Sequence, residues 1–233
     1  MKVDVLAFGA HPDDVEIGMG ATLIKLIESG KKVALIHLTC GDKGTYGTPE
    51  IREREFRKFL KFVRAIGETL DFKDCEIEDN YKNRLKIADV IRKYKPQIVF
   101  SPYYSSKFTH KDGAAHPDHI TTGNLVRFGL RYAKFKNIKR KDKEHLVSRL
   151  FYYMVPKDKL PTFVVDVTDY IKKWEKALHL YKSQMIPFNR DRELFTILKS
   201  YKILHGSLVG CKFGEGFLSE EPLNINEENL FEI

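Results

Sequence analysis

The sequence predicts an α/β protein with a Rossmann-like, doubly wound and mainly parallel sheet. Nearly continuous apolar segments are typical of strands buried on both faces, segments with helical periodicity alternate with them, and the connections are short. Such sheets bind ligands just beyond the carboxyl ends of their strands. Because no linker, repeat or low-complexity block divides the chain, we expect a single domain over residues 1–233.

The first third of the chain shows the strand and helix pattern twice. Residues 2–9 are typical of a buried strand, and residues 15–29 carry a helical apolar stripe that Gly30 closes. Residues 32–39 repeat the strand pattern. Residues 49–65 are charged and periodic, which predicts a surface helix.

The remaining segments continue the alternation. Residues 84–94 predict a helix and residues 97–101 a short strand, and a long loop follows at 102–115. Beyond it we expect helices at 117–132, 170–182 and 190–205, and strands at 150–155 and 163–167. Functional residues are expected after the strands, at residues 9–14, 39–48 and 101–119.

Composition excludes several classes of protein. With 42% apolar and 31% charged residues, the chain is not expected to be disordered, collagenous or membrane-spanning. The first residues lack the features of a secretory signal, so a cytoplasmic location is expected. Three scattered cysteines without a CxxC spacing argue against a disulfide framework or a cysteine zinc site. The net charge of +8 and the basic run at 134–143 are expected to reflect a solvated surface.

Two similar tetrapeptides stand where functional residues are expected: His11-Pro12-Asp13-Asp14 and His116-Pro117-Asp118-His119. Imidazole and carboxylate groups are good zinc ligands, and a catalytic zinc usually has three protein ligands and one position for water. Proline suits the first turn of a helix, so each motif is expected to open one. Either motif alone could be ordinary helix-capping chemistry, but two at one sheet edge predict a metal site.

The sequence AHPDD at residues 10–14, together with HPDH at residues 116–119, resembles the PIG-L/LmbE-like family of zinc-dependent N-acetylglucosamine deacetylases. The segments GAHPDDVEIGMGATL, YKPQIVFSPY and GSLVGCKFGEGF look like the bacillithiol-pathway branch, which deacetylates N-acetylglucosaminyl malate. The resemblance implies an enzyme, a zinc-dependent N-deacetylase, acting on a small-molecule N-acetylglucosaminide. It also implies a homo-oligomer, with no nucleic acid or membrane as partner.

The resemblance implies a role for each residue of the two motifs. His11, Asp14 and His119 would bind Zn²⁺, and Fe²⁺ or Co²⁺ could share this ligand set. Asp13 would be the general base that takes a proton from the attacking water. His116 would stabilise the oxyanion or protonate the leaving amine.

Further polar residues could contact the substrate or orient the ligands. Arg52 matches an arginine of the family and could bind a hydroxyl or carboxylate of the substrate. Asp118 could orient a histidine or cap a helix. Lys107, His110 and Lys111, in the long loop before HPDH, could meet an anionic substrate.

Two alternatives remain open. The first is an enzyme of the same fold that acts on diacetylchitobiose, an inositol conjugate or another N-acylated small molecule. The second is a basic nucleic-acid-binding α/β domain whose His-Pro-Asp turns are structural, which salt-dependent binding without metal would reveal. The glycine-rich loop at 41–47 lacks the spacing of a phosphate-binding loop and predicts a lid or a pocket wall.

Overall fold

A five-stranded parallel sheet forms the centre of the computed structural model, which describes residues 1–107, 113–185 and 191–224. Its strands are β1 Val5–Gly9, β2 Val33–His37, β3 Ile66–Thr69, β4 Ile98–Pro102 and β5 Arg149–Tyr153. They lie in the order β3-β2-β1-β4-β5, so the strand order reverses between β1 and β4. This topology confirms the predicted doubly wound fold, and a crevice between β1 and β4 is where such folds bind ligands.

Helices cover both faces of the sheet. They are α1 Asp14–Glu28, α2 Pro49–Val63, α3 Tyr81–Tyr94, α4 Pro117–Ala133, α5 Ile171–Leu178, α6 Lys182–Met185 and α7 Asp191–Ser207. Side chains of β1 alternate between two cores: Ala7 packs with α1, α2 and α5, and Leu6 packs with α3 and α4. In the part of the chain that the structure describes, no helix is long and apolar enough to cross a bilayer.

Two strands were not predicted. The edge strand β3 is short and only partly buried, so its sequence IGET carries no apolar run. The strand β7 Gly214–Phe217 contains two glycines and pairs antiparallel with β6 Phe163–Asp166 in a small second sheet. The predicted helix at 170–182 is divided into α5 and α6, and between them Tyr181 is buried with its hydroxyl donating to Glu16.

Helix α1, which begins within the first His-Pro-Asp motif, is interrupted at Met19, where φ is −145° and ψ is 21°. The carboxylate of Glu215 in β7 accepts hydrogen bonds from the backbone N–H of Ala21 at 3.2 Å and of Thr22 at 2.6 Å. These are the donors that a helix start leaves unpaired. The buried ammonium of Lys202 in α7 donates to the same carboxylate. The small sheet therefore supports the helix that carries the site.

Replacing Glu215 by glutamine is expected to lower the free energy of unfolding by about 1.5–3 kcal/mol, the usual worth of hydrogen bonds to charged groups. The buried Lys202 would lose its counter-charge while the side chain keeps its shape. Urea denaturation measures the change. Glu221→Gln, at an exposed carboxylate, is the matched control and should shift stability by less than about 0.5 kcal/mol. Equal stabilities of the two variants would contradict this account.

The basic segment at 134–143 is folded onto the protein by the buried side chain of Arg92. Its guanidinium donates to five backbone carbonyls, those of Tyr132, Ala133, Phe135, Ile138 and Asp142. A cation is favoured at this place because α4 ends there, and the carbonyls at the end of a helix carry partial negative charge. The lysines of the segment at 136, 139, 141 and 143 are exposed, as predicted for a solvated surface.

Candidate metal centre

The two His-Pro-Asp motifs meet at the carboxyl edge of the sheet, where the strand order reverses. The first follows β1 and opens α1, and the second opens α4 with proline in its first turn. Because β1 and β4 are paired, the two motifs lie side by side. The ring centroids of His11, His116 and His119 are only 5.0–5.4 Å apart.

His11, Asp14 and His119 form a candidate metal site. Each offers one ligand atom, and these atoms lie within 4.8 Å of one another. One carboxylate oxygen of Asp14 is 3.0 Å from Nε2 of His119, and the other is 3.6 Å from Nδ1 of His11. All three residues are buried. Two imidazoles and one carboxylate suit zinc, and Fe²⁺ or Co²⁺ accept the same donors, so the residues fit the predicted ion.

Hydrogen bonds hold both imidazoles at the nitrogen that points away from this centre. Nδ1 of His119 is 2.8 Å from the carbonyl oxygen of Gly113. Nε2 of His11 is 2.9 Å from a carboxylate oxygen of Asp74 and 3.2 Å from one of Asp118. These partners are acceptors, so the outer nitrogens carry protons, and the inner nitrogens, which face Asp14, would offer their lone pairs to a bound metal. Metal-binding histidines are typically oriented in this way.

The electrostatics of the site favour positive charge at its centre. Burial opposes the charged form of His11, but hydrogen bonds to Asp118, Asp14 and Asp74 outweigh it and raise the pKa of His11 to about 12. Burial would raise the pKa of Asp14, yet the charges and hydrogen bonds of His119 and His11 hold that pKa well below its usual range. A site that stabilises buried cationic groups so strongly is suited to hold a metal cation.

Asp13 lies next to this centre in a strained conformation. It is the residue before α1, with φ at 111°, which is unusual for a residue other than glycine. Among the described residues its side chain caps no helix, so the capping alternative is wrong for Asp13. Burial raises the pKa of Asp13 to about 7, against the opposing charge of Arg52. A carboxylate that titrates near neutral pH is suited to accept a proton.

Arg52 is directed towards the protein and is only 3% exposed. It donates to the carbonyl oxygens of Pro12 at 2.6 Å and Gly41 at 3.4 Å, and its Nη2 is 3.5 Å from a carboxylate oxygen of Asp13. Gly41 has φ at +67°, and a Cβ there would lie 2.7 Å from Cζ of Arg52. The glycine-rich loop therefore covers the guanidinium. These contacts orient the turn that carries Asp13, whereas the direct contact with substrate stays a prediction.

His116 and Asp118 have different partners. Nδ1 of His116 accepts a hydrogen bond from the backbone N–H of Asp118 at 3.2 Å, so Nε2 carries the proton. Burial and the nearby charges of His119 and His11 lower the pKa of His116. The carboxylate of Asp118 accepts from the N–H of Cys75 at 2.8 Å as well as contacting His11. Of the two roles expected for Asp118, the geometry supports orientation of a histidine.

Asp74 is the site residue that the sequence analysis missed. It is 3% exposed and lies in the loop after β3, a strand that was not predicted. Because that strand was not predicted, no strand end marked Asp74 as a candidate. Of the cations predicted in the long loop, Lys107 lies 3.6 Å from Asp158 and is exposed, and His110 and Lys111 lie outside the described residues.

A cavity of about 300 Å³ opens beside Asp13. Its other lining residues come from α1, the glycine-rich loop, α6 and α7. They are Ile17, Thr45, Tyr46, Gln184, Met185 and Leu194. The amide of Gln184 donates to the backbone carbonyl of Tyr46, which joins the loop to α6. The loop thus forms part of a pocket wall, as predicted.

Comparison with known proteins gives consistent matches. Residues 6–128 match the PIG-L family, described as GlcNAc-PI de-N-acetylase. Over 227 residues the chain is 30% identical to the diacetylchitobiose deacetylase of Thermococcus kodakarensis, an alignment covering 91% of this chain and 81% of that protein.

Solved structures match over nearly the whole chain. The conserved protein TT1542 from Thermus thermophilus superposes with a TM-score of 0.85 at 29% identity, covering 97% of this chain and 98% of that one. The N,N'-diacetylchitobiose deacetylase from Pyrococcus horikoshii, solved with an inhibitor, gives a TM-score of 0.80 at 25% identity. That alignment covers 92% of this chain and 82% of the other.

Proposed function

Since this chain belongs to the PIG-L family and is a deacetylase of an N-acetylated sugar conjugate, we propose that its substrate is diacetylchitobiose or a similarly small N-acetylglucosaminide. The match to a diacetylchitobiose deacetylase along 91% of the chain carries this proposal. It supports the predicted alternative over the bacillithiol-pathway substrate, N-acetylglucosaminyl malate. Membership of this family also argues against the nucleic-acid-binding alternative.

We assign the metal to His11, Asp14 and His119. Two overlapping groups also have ligand spacing, namely His11 with His116 and Asp118, and Asp74 with Cys75 and Asp118. In both groups a carboxylate is already engaged: Asp74 and Asp118 contact Nε2 of His11, and Asp118 also accepts a hydrogen bond from the backbone N–H of Cys75. A divalent metal held by His11, Asp14 and His119 would supply Lewis-acid chemistry, activating water and polarising the acetyl carbonyl.

The remaining site residues move protons and stabilise charge. Asp13 takes the proton of the attacking water, because its carboxylate is adjacent to a ligand and is not required for coordination. Arg52 keeps that carboxylate in place through the carbonyl of Pro12. His116 donates from Nε2 to the oxyanion that forms as water adds to the acetyl carbonyl. The C–N bond then breaks, acetate is released, and the leaving amine takes the proton that Asp13 accepted from the water.

The cavity beside Asp13 is the proposed place for part of the substrate. Its volume of about 300 Å³ suits a small sugar, and Thr45 and Gln184 offer polar groups beside the apolar side chains of Ile17 and Met185. Such a mixed wall fits a pyranose, whose ring faces are apolar and whose edges carry hydroxyls. We therefore expect the protein to select the sugar rather than an acidic aglycone.

A substrate panel tests this proposal. With diacetylchitobiose, the purified protein is expected to give a product that lacks one acetyl group, detected by mass spectrometry. We expect kcat/KM to exceed that for N-acetylglucosaminyl malate by about tenfold or more, the discrimination a pocket achieves through a few contacts. Protein treated with a chelator is the control and should be inactive until metal is restored. A preference for the malate conjugate would reverse the assignment of substrate.

Three expectations from the sequence stay predictions. They are the single domain over residues 1–233, the cytoplasmic location and the homo-oligomer. Light scattering of the purified protein measures the oligomeric state directly. A molar mass equal to that of a single protomer would contradict the homo-oligomer.

A further inference from the structure

We propose that Asp74 is a positioning residue for the metal centre, which fixes the ring of His11 and links it to the glycine-rich loop. The inference rests on the proposed function, since it takes His11 as a ligand. It concerns the loop after β3, which contains neither of the two His-Pro-Asp motifs.

Both carboxylate oxygens of Asp74 are engaged by other parts of the site. Oδ1 lies 2.9 Å from Nε2 of His11, and Oδ2 accepts a hydrogen bond from the backbone N–H of Lys43 at 2.7 Å. Lys43 belongs to the glycine-rich loop, whose carbonyl at Gly41 contacts Arg52. The buried side chain of Asp74 thus connects His11, a proposed metal ligand, to the glycine-rich loop. The same loop covers Arg52, which lies beside Asp13.

Asp74 is the nearer of two carboxylates that face the same nitrogen. Asp118 lies 3.2 Å from Nε2 of His11 and also accepts from the N–H of Cys75. Cys75 has φ at 61°, in the left-handed region, which is costly for a residue other than glycine. This turn brings the Asp74 carboxylate to His11 and the Cys75 N–H to Asp118, and these two contacts offset the cost of the turn.

The chemistry of imidazole gives this contact a consequence for metal binding. Neutral histidine carries one proton, on either nitrogen. A carboxylate that accepts the proton of Nε2 leaves a lone pair on Nδ1, the nitrogen that faces Asp14, and makes that nitrogen a stronger ligand. Without Asp74 the ring would be held by Asp118 alone, at the longer distance. His11 would then bind the metal more weakly.

Metal affinity, measured apart from catalysis, tests the proposal. Asp74→Ala is expected to raise the Zn²⁺ dissociation constant by about 10- to 100-fold, the usual effect of removing a partner of a ligating histidine. Asp74→Asn, which keeps an acceptor but not the charge, should have a smaller effect in the same direction. Competition with a chelating dye gives these constants, and the visible spectrum of the Co²⁺ protein reports the ligand geometry.

Asp71→Asn is the matched control, since Asp71 lies in the same loop, is exposed and pairs with Lys86. Its Zn²⁺ dissociation constant should stay within about twofold of that of the unmodified protein, as expected for a surface residue that touches no ligand. Circular dichroism establishes that each variant is folded. If Asp74→Ala does not fold, the Zn²⁺ dissociation constant of the nearly isosteric Asp74→Asn tests the proposal instead.

Zn²⁺ affinity of folded Asp74 variants equal to that of the control would overturn the proposal, even if their activity fell. Failure of the unmodified protein to bind Zn²⁺ would be a different result, because it would remove the proposed metal site itself. The two failures are therefore distinguished by one titration of the unmodified chain.

Discussion

Replacing His119 by alanine is expected to abolish metal binding and, with it, deacetylation. The inner nitrogen of His119 is 3.0 Å from a carboxylate oxygen of Asp14, and its outer nitrogen is held by the carbonyl of Gly113. Among the described residues, His119 is the second histidine grouped with His11 and Asp14, whereas His116 is grouped with Asp118. Metal assistance contributes several kcal/mol to such hydrolyses, and each 1.36 kcal/mol is tenfold in rate. We therefore expect kcat/KM to fall on the order of 10³-fold or more.

Elemental analysis of protein purified without chelators measures the metal content, and the same preparation supplies the rate. His11→Ala and Asp14→Ala should behave as His119→Ala does, because all three residues meet at one centre. His179→Ala, at an exposed histidine that follows α5, is the control and should keep both metal and activity. Stoichiometric zinc in His119→Ala would remove this residue from the ligand set.

Replacing Asp13 by asparagine is expected to leave the metal in place and to lower kcat by about 10²- to 10⁴-fold, the usual contribution of a general base. Asparagine has nearly the same shape, so the contact with Arg52 can persist while the proton acceptor is lost. Asp13 is not one of the three residues grouped as ligands. In this variant kcat should therefore fall while the metal content is unchanged, whereas both fall when a metal ligand is replaced.

The pair of measurements, metal content and single-turnover rate, distinguishes a base from a ligand. Asp42→Asn, in the exposed glycine-rich loop, is the matched control and should change kcat by less than about twofold, as expected for a group outside the chemical step. Normal turnover by Asp13→Asn would show that another group accepts the proton. Loss of metal from this variant would show that Asp13 is a ligand.

Much of the fold was predictable because it depends on local patterns. The apolar runs at Val5–Gly9 and Val33–His37 are typical of strands buried on both faces, and the helical stripes between strands implied parallel pairing. The half-exposed strand Ile66–Thr69 and the glycine-containing strand Gly214–Phe217 lack such runs. Their pairing depends on neighbours that are distant in sequence, so pattern alone did not reveal them.

What the sequence determined by itself is that two His-Pro-Asp turns each follow a strand of one parallel sheet, and hence that two imidazoles and a carboxylate share one edge of that sheet. The structure added that these two strands, β1 and β4, are neighbours. Parallel strands end at the same edge whatever their loops do. Only the tertiary structure decided which way the side chains face: Arg52 towards Pro12, and Asp74 towards His11. Those directions depend on the paths of loops and on burial across the fold, which no local spacing encodes.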